Sequence, residues 1–182
     1  MLIAYDFFLV FLVFLGLASF WIIVVDSALG GYGFSTSARA TLKVISIIQS
    51  HKKNSGVMYD LGSNHGKVVL KIKKFLPKWE VCGLDNDVIR IVWSKTKTFF
   101  AQHRPSFLKI DIFEADVSKA DVVYVYLPSS LMPALRKKLQ KEMKPGSMVI
   151  TSTVFFEGWN PSETYITNEK QPEKEKIFVY QN

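Results

Sequence analysis

The sequence predicts an α/β fold in which an open, mostly parallel sheet follows one long apolar helix. Three observations carry that reading. Val57-Met58-Tyr59-Asp60-Leu61 is a short apolar run with an acid near its end, and it passes through a two-glycine loop into a helical pattern. Beyond it, apolar runs of strand length alternate with stretches of helical period, the arrangement that builds a parallel sheet with crossover helices. Finally, Phe7 to Val25 contains no charge and nothing more polar than Ser19.

That uncharged stretch comes first in the chain. At about 1.5 Å per residue, a helix over it nearly covers a hydrocarbon core of roughly 30 Å. Leu2 to Tyr5 extends it by a turn, Asp6 and Asp26 bracket the uncharged part, and Trp21 is placed for an interface. A cleaved signal peptide has a basic leading region and a shorter apolar core, and a buried core helix is rarely apolar on every face. Residues 1–28 therefore read as an uncleaved membrane anchor that meets the lipid bilayer through residues 2–25. All 23 Lys and Arg lie at or after Arg39, with 14 of the 16 acids, so the remainder carries +9 (23 minus 14). The positive-inside rule then puts that remainder in the cytoplasm of a single-pass membrane protein. The same excess suits a surface held against anionic lipid. The lysines are dispersed between apolar positions and form no stripe with aromatics, so no nucleic-acid partner is expected. Cys82 is the one cysteine, which excludes a disulfide framework, and it reads as a small buried side chain within a strand.

Residues 29–55 read as a linker and an N-terminal helix. Ala28-Leu29-Gly30-Gly31-Tyr32-Gly33 is a glycine joint that ends the membrane helix, and Phe34-Ser35-Thr36-Ser37 offers caps for the next one. That helix, about 37–50, carries Ala38, Leu42, Ile45 and Ile48 on one side and brings the 32–36 segment to the mouth of the glycine loop. A polar turn, 51–56, leads into a domain over residues 56–182. Its first strand is 57–61, followed by a helix over 67–76 that Pro77 stops. The second strand is 80–84. A helix over about 87–102 follows, with Val88, Ile91, Val92, Lys95 and Phe99 facing inward or along the rim. The third strand is 107–110, and a turn near 114–118 leads to the fourth, 122–127. A helix over 130–143 and the turn Lys144-Pro145-Gly146 precede the fifth, 148–155. Extended segments at 164–167 and 176–180 suit a closing antiparallel pair, which makes seven strands with the last reversed.

Ligands of open α/β sheets bind outside the carboxyl ends of the strands. Those ends supply Asp60, Asp85, Asp111 and the Tyr126-Leu127-Pro128 segment. A dinucleotide loop needs no acid before its glycines, whereas here Asp60 precedes Gly62 and Gly66. Glycine is wanted there for close backbone approach to a ligand or for positive φ. A carboxylate in the first position suits a cationic amine, and one closing the second strand suits a ribose diol. S-adenosylmethionine carries both groups. Any of these acids also serves as a helix cap, as Asp87 and Asp111 stand near helix starts. His65 reads as a solvent-edge residue, because no second ligand lies at metal spacing, and no nucleophile–histidine arrangement suggests hydrolysis.

With these residues in view, the chain resembles the small seven-strand, Rossmann-like class I methyltransferases. More narrowly, it is similar to the membrane-associated protein-lysine methyltransferases whose eukaryotic members modify the mitochondrial ADP/ATP carrier and the ATP synthase c-subunit. The likeness runs from about Tyr32 to Pro161. It rests on Tyr59-Asp60-Leu61-Gly62-Ser63-Asn64-His65-Gly66-Lys67-Val68-Val69 and on Gly83-Leu84-Asp85-Asn86. Asp111-Ile112-Phe113, the run from Ala120 to Pro128 and Met143-Lys144-Pro145-Gly146 follow the same family order. Phe156-Glu157-Gly158-Trp159-Asn160-Pro161 resembles its late tryptophan element, and Phe34-Ser35-Thr36 a diverged form of its early segment.

The resemblance implies S-adenosyl-L-methionine as cofactor and a lysine of a membrane protein as acceptor. An acceptor that is a lipid amine or small molecule, or an inactive binding module that kept the fold, are the alternatives. Asp60 and Gly62 would hold the methionine part, with Ser63, Asn64 and Gly66 completing the loop. Asp85, with Asn86 beside it, would take the ribose hydroxyls, and Asp111 with Ile112 the adenine. Tyr126 would touch cofactor and, with Leu127 and Pro128, line the route for the lysine amine, joined by Thr36 and Trp159. Asn64 and His65 stand where the family has glycine and an acid. Asparagine tolerates left-handed φ, so the loop conformation is expected to hold. The chemistry implied is in-line displacement at a sulfonium methyl by a neutral amine, for which positioning supplies about 7–11 kcal/mol and no base is named.

Overall fold

The computed structural model describes residues 2–29, 36–51, 54–99, 101–169, 171–172 and 175–182. The glycines of the expected joint, Gly30, Gly31 and Gly33, and Phe34-Ser35 lie outside the described residues. The chain divides into two compact units, Met1–Ser35 and Thr36–Asn182. The first holds helix α1, Leu2–Leu29. Within it Tyr5–Ile22 is long and apolar enough to cross a membrane, and its side chains are exposed along the whole span.

The second unit is built on a seven-stranded sheet. In chain order its elements are α2 (Ala38–His51), β1 (Val57–Leu61), α3 (Lys67–Phe75), β2 (Glu80–Asp85), α4 (Val88–Thr98) and β3 (Ser106–Lys109). Then come β4 (Val122–Val125), a 3₁₀ turn over Ser129–Leu131, α5 (Met132–Glu142), β5 (Met148–Ser152), β6 (Glu163–Ile166) and β7 (Lys176–Gln181). The strand order is β3-β2-β1-β4-β5-β7-β6. The first five strands in that order pair in parallel, and β7 enters antiparallel between β5 and β6. The expected reversed strand is therefore β7, and its antiparallel partner β6 closes the edge.

Alternation within the strands sends side chains to two apolar layers. Met58, Val81, Phe107, Val122, Tyr124 and Ile150 pack under α2, α3 and α4, while Leu61, Leu84, Val123, Val125 and Val149 pack under α5. Strands β1 and β4, central in the order, are buried almost throughout, as a parallel sheet covered on both faces requires. Cys82 is buried in β2, as its sequence context predicts.

Three expectations need correction. On α2 Ile45 and Ile48 are buried as expected, but Ala38 and Leu42 are exposed, and Ala40, Thr41, Val44 and Ile47 complete the packed face. Strands β4 and β5 end sooner than the apolar pattern suggests. The fifth stops at Ser152 because Thr153 turns the chain with φ 66°, which no strand accommodates. The inward face of α4 is also different. Ile91 is buried as expected, but Val88, Val92 and Phe99 are exposed, and the second buried position is Ser94. The cause is close approach. Ser94 donates its hydroxyl to the Asn64 carbonyl at 3.1 Å and lies against Gly66, where a larger apolar side chain would not fit. Ser94→Val should therefore cost about 1–3 kcal/mol by overpacking. Val92→Ser should change stability by less than about 0.5 kcal/mol. Chemical denaturation of the two variants checks both.

Candidate functional site

The site grows from the carboxyl ends of β1 and β2. Asp60 is 3% exposed and Asp85 4%, and they end neighbouring strands whose register pairs Asp60 with Gly83. Between them runs the glycine loop, tied back to β2 by Gly62 N–H and Ser63 N–H, both donated to the Leu84 carbonyl at 2.8 and 2.9 Å. Gly62, Asn64 and Gly66 all take left-handed conformations, with φ 79°, 49° and 70°. Asn64 thus adopts the conformation expected of it. The glycines have a further reason that the sequence did not reveal. A Cβ on Gly62 would meet Leu127 at 2.5 Å, and one on Gly66 or Gly83 would meet the Phe107 ring at 2.6–2.7 Å. Close approach by the protein's own side chains is what demands glycine at these positions.

The two buried acids differ in their surroundings. The Asp85 carboxylate accepts from Asn64 N–H at 2.9 Å on one oxygen and from Asp87 N–H at 3.0 Å on the other. It is a clamp that fixes the loop and the start of α4, with lone pairs remaining on both oxygens. Asp60 has no such donors. Burial first, and then the negative charge of Asp85, push its carboxyl up to about 7, and among the described residues no hydrogen bond offsets this. In the loop, Ser63 Oγ and Asn64 Oδ1 are buried with no hydrogen-bond partner among the described residues. Helix α3 starts at Gly66, which has no side chain to cap the first-turn N–H groups. Unmatched acceptors around an uncapped helix start suit a ligand bearing an ammonium and hydroxyls. S-adenosylmethionine fits that set.

The other predicted residues are placed as follows. Asn86 is exposed at the end of β2. Asp111 lies two residues past β3, is exposed, and accepts Phe113 N–H at 2.8 Å, so it caps a turn. Of the three acids, Asp60 and Asp85 are buried side by side, and Asp111 is exposed one residue beyond Ile110, whose N–H donates to the Asp85 carbonyl at 3.0 Å. Ile112 and Leu127 are half-buried against the layer under α5, Tyr126 against the opposite layer, and Pro128 is exposed. Thr36 does come to the sheet, its hydroxyl 2.6 Å from that of Tyr124. Trp159 joins an aromatic cluster. Its ring is 5.0 Å from Tyr180 and 5.5 Å from Phe156, and Tyr180 pairs with Val149 in the first half of β5, so Trp159 is a half-buried residue packed on the layer under α5. The His65 carbonyl accepts from Lys97 Nζ at 3.0 Å, which ties the loop to α4.

Sequence reasoning missed Tyr124 and the hydroxyl run after it in the sheet. Tyr124 lies opposite Asp60 across the β1–β4 ladder, and burial holds its hydroxyl protonated well beyond the ordinary range. Ser152 ends β5 with a buried hydroxyl beside that of Tyr124, and Thr153, just past the strand, has a buried hydroxyl with no partner among the described residues and is a β-branched residue in a left-handed conformation. Such strain gathers at functional sites. The legible signal was Thr151-Ser152-Thr153, three hydroxyl residues interrupting an otherwise apolar strand.

Comparison with known proteins agrees with this geometry. The model of a family described as the ANTKMT methyltransferase domain matches residues 60–163. A protein-lysine N-methyltransferase of Saccharolobus islandicus is 31% identical over 109 residues, covering 59% of this chain and 68% of the relative. The lysine N-methyltransferase of the ATP synthase c-subunit from Xenopus laevis is 23% identical over 127 residues, 69% of this chain and 55% of that protein, so the chain spans about half the length of that vertebrate relative. Among solved structures, an RNA methyltransferase from Salinibacter ruber in complex with S-adenosyl-L-homocysteine superposes with TM-score 0.73 at 23% identity, covering 81% of this chain and 93% of that one. Magnesium protoporphyrin IX methyltransferase from Synechocystis gives TM-score 0.65 at 14% identity, covering 86% and 90%. These two likenesses establish the fold alone.

Proposed function

This chain belongs to the ANTKMT methyltransferase family, and from that premise we propose how it works as an S-adenosylmethionine-dependent protein-lysine N-methyltransferase, with a lysine of a membrane protein as acceptor. The observation that carries the reading is Asp60, a buried carboxyl aligned with the glycine loop and without a donor among the described residues. S-adenosylmethionine, when bound, would supply a sulfonium methyl to a neutral amine in line, the C–S bond breaking as the N–C bond forms and S-adenosylhomocysteine leaving as the neutral thioether. Asp60 accepts from the methionine ammonium, and Gly62, Ser63, Asn64 and Gly66 enclose that end. Asp85 keeps the loop closed through Asn64 N–H and uses its remaining lone pairs for the ribose hydroxyls, with Asn86 alongside. Ile112 and Asp111 border the adenine, and Tyr126, Leu127 and Pro128 with Thr36 border the path of the acceptor amine. The lysine gives its proton to water before it enters, so the chain's task is alignment and exclusion of solvent.

Residues 1–28 serve as a single-pass anchor, 29–55 as the joint and first helix, and 56–182 as the methyltransferase domain. The positive excess after Arg39 favours the cytoplasmic side for that domain. A relative named for the c-subunit of ATP synthase supports an acceptor within the membrane. The full chain, incubated in native membranes with cofactor carrying a labelled methyl group, is expected to mark a protein band, and the Asp60→Asn variant is expected to mark none. Label recovered in the lipid extract, or in neither fraction, would overturn the assignment.

A further inference from the structure

Helix α4 is inside out. Its buried positions are Ile91 and Ser94, while Val88, Ile89, Val92, Trp93 and Phe99 are exposed, by 53, 48, 55, 43 and 70%. On a helical wheel Val88, Val92 and Phe99 form one stripe, with Ile89 and Trp93 beside it. Helix α5, on the opposite face of the sheet, does the reverse: it buries Leu135 and Leu139 and turns Lys137, Gln140 and Lys141 outward.

Charge accompanies the apolar stripe. From Val88 to Arg104 the chain carries Arg90, Lys95, Lys97 and Arg104 and no acid at all. Lys97 Nζ lies 5.5 Å from the Trp93 ring centre and the Arg104 guanidinium 6.0 Å from that of Phe99, so cations frame the aromatic rings. An exposed stripe of valine, isoleucine, tryptophan and phenylalanine flanked by lysine and arginine is the composition of a helix lying in a bilayer interface, its apolar face among the acyl chains and its cations at the phosphates. A second copy of the chain fits less well. A two-fold contact through this face would set Lys95, Lys97 and Arg104 against their own copies, Arg90 being paired with Asp87 at 3.7 Å. A peptide partner would need a groove, and the face is the convex outer side of a helix.

We propose that the outer face of α4 is a docking surface for an anionic lipid bilayer. The proposal rests on the reading of residues 5–22 as a membrane anchor, and it adds a second contact that orients the catalytic domain. The start of α4 is Asp87, which donates its N–H to Asp85 in the crevice and caps the helix by accepting from Ile89 and Arg90. Laying α4 on lipid therefore brings the rim of the crevice to the headgroup layer, where a lysine at the membrane surface is within reach.

The test uses the full chain in vesicles of phosphatidylcholine with or without phosphatidylglycerol. Single nitroxides are placed by Val92→Cys on α4, Lys137→Cys on α5 and Phe14→Cys in the anchor. Cys82 is buried, and unsubstituted protein treated with the reagent is the blank. In phosphatidylglycerol vesicles the label at 92 is expected to lose collisions with an aqueous nickel chelate and gain them with oxygen, while that at 137 stays aqueous. High salt, or Lys95→Glu, is expected to weaken the protection at 92. If 92 is as accessible to nickel as 137 while 14 is protected, docking is overturned and the anchor stands. If 14 is accessible too, both readings fall. Protection at 92 that follows protein density and ignores lipid charge would assign the face to a second copy and overturn the proposal as well.

Discussion

Replacing Asp60 by asparagine is expected to raise the stability of the ligand-free domain at neutral pH and to abolish use of S-adenosylmethionine. The two effects have one cause. Unfolded, this carboxyl loses its proton near 3.8, whereas folded it does so only near 7, because burial and the neighbouring Asp85 oppose its charge. Between those values the unfolded chain holds fewer protons than the folded one, so the wild type loses stability as pH rises from about 4 to 7. The full cost above that window is on the order of 4 kcal/mol. The asparagine variant lacks this slope, and denaturant midpoints at pH 5 and 8 read the difference. The same carboxylate is what meets the cofactor's ammonium. Removing one partner of a buried charge pair costs about 2–5 kcal/mol, so affinity should fall roughly 30-fold to several thousand-fold. A variant more stable yet unable to bind is hard to obtain by general misfolding.

Gly66→Ala is expected to be the most destabilising single methyl group that can be added to the loop. Gly66 has φ 70°, and its new Cβ would stand 2.6 Å from the Phe107 ring and 3.0 Å from Ser94 Oγ. Phe107 has no retreat. It is 2% exposed, and the position that a Cβ on Gly83 would take is also 2.7 Å from the same ring. Left-handed backbone costs about 1–2 kcal/mol for alanine and overpacking about 1–3, so a loss of about 2–5 kcal/mol follows. Gly146 separates the two contributions. It has φ 76°, and a Cβ there would meet nothing within 4 Å, so Gly146→Ala should show only the backbone cost. Phe107→Leu in the Gly66→Ala background should recover part of the difference. Equal losses at Gly66 and Gly146 would show that the packing account is wrong.

These examples also mark where the sequence was legible. The first strand, the loop and the following helix are local structures whose pattern and turn chemistry agree. The limits of β1 and the start of α3 accordingly stand where the residues place them. Asp60 and Asp85 were readable because each closes an apolar strand. What the sequence concealed depends on contacts distant along the chain. The wedge of Phe107 between Gly66 and Gly83 joins three separate segments. Trp159 looked like part of a site motif, yet it completes an aromatic cluster with Phe156 and Tyr180 that only the antiparallel entry of β7 assembles. On α4 the apolar spacing was real, but the residue that allows the helix to close on the loop is a serine, and hydrophobicity cannot signal a demand for small size.

Central to the whole account is a neutral-leaning Asp60 that ionises to receive a cationic ligand. The most direct test is calorimetric titration of the full chain with S-adenosylmethionine near pH 6, in buffers of different ionisation enthalpy, against the Asp60→Asn variant. Binding by the wild type with release of a fraction of a proton, and its loss in the variant, is the expected result. No binding by the wild type at millimolar cofactor, or equal binding by both proteins without proton release, would contradict it.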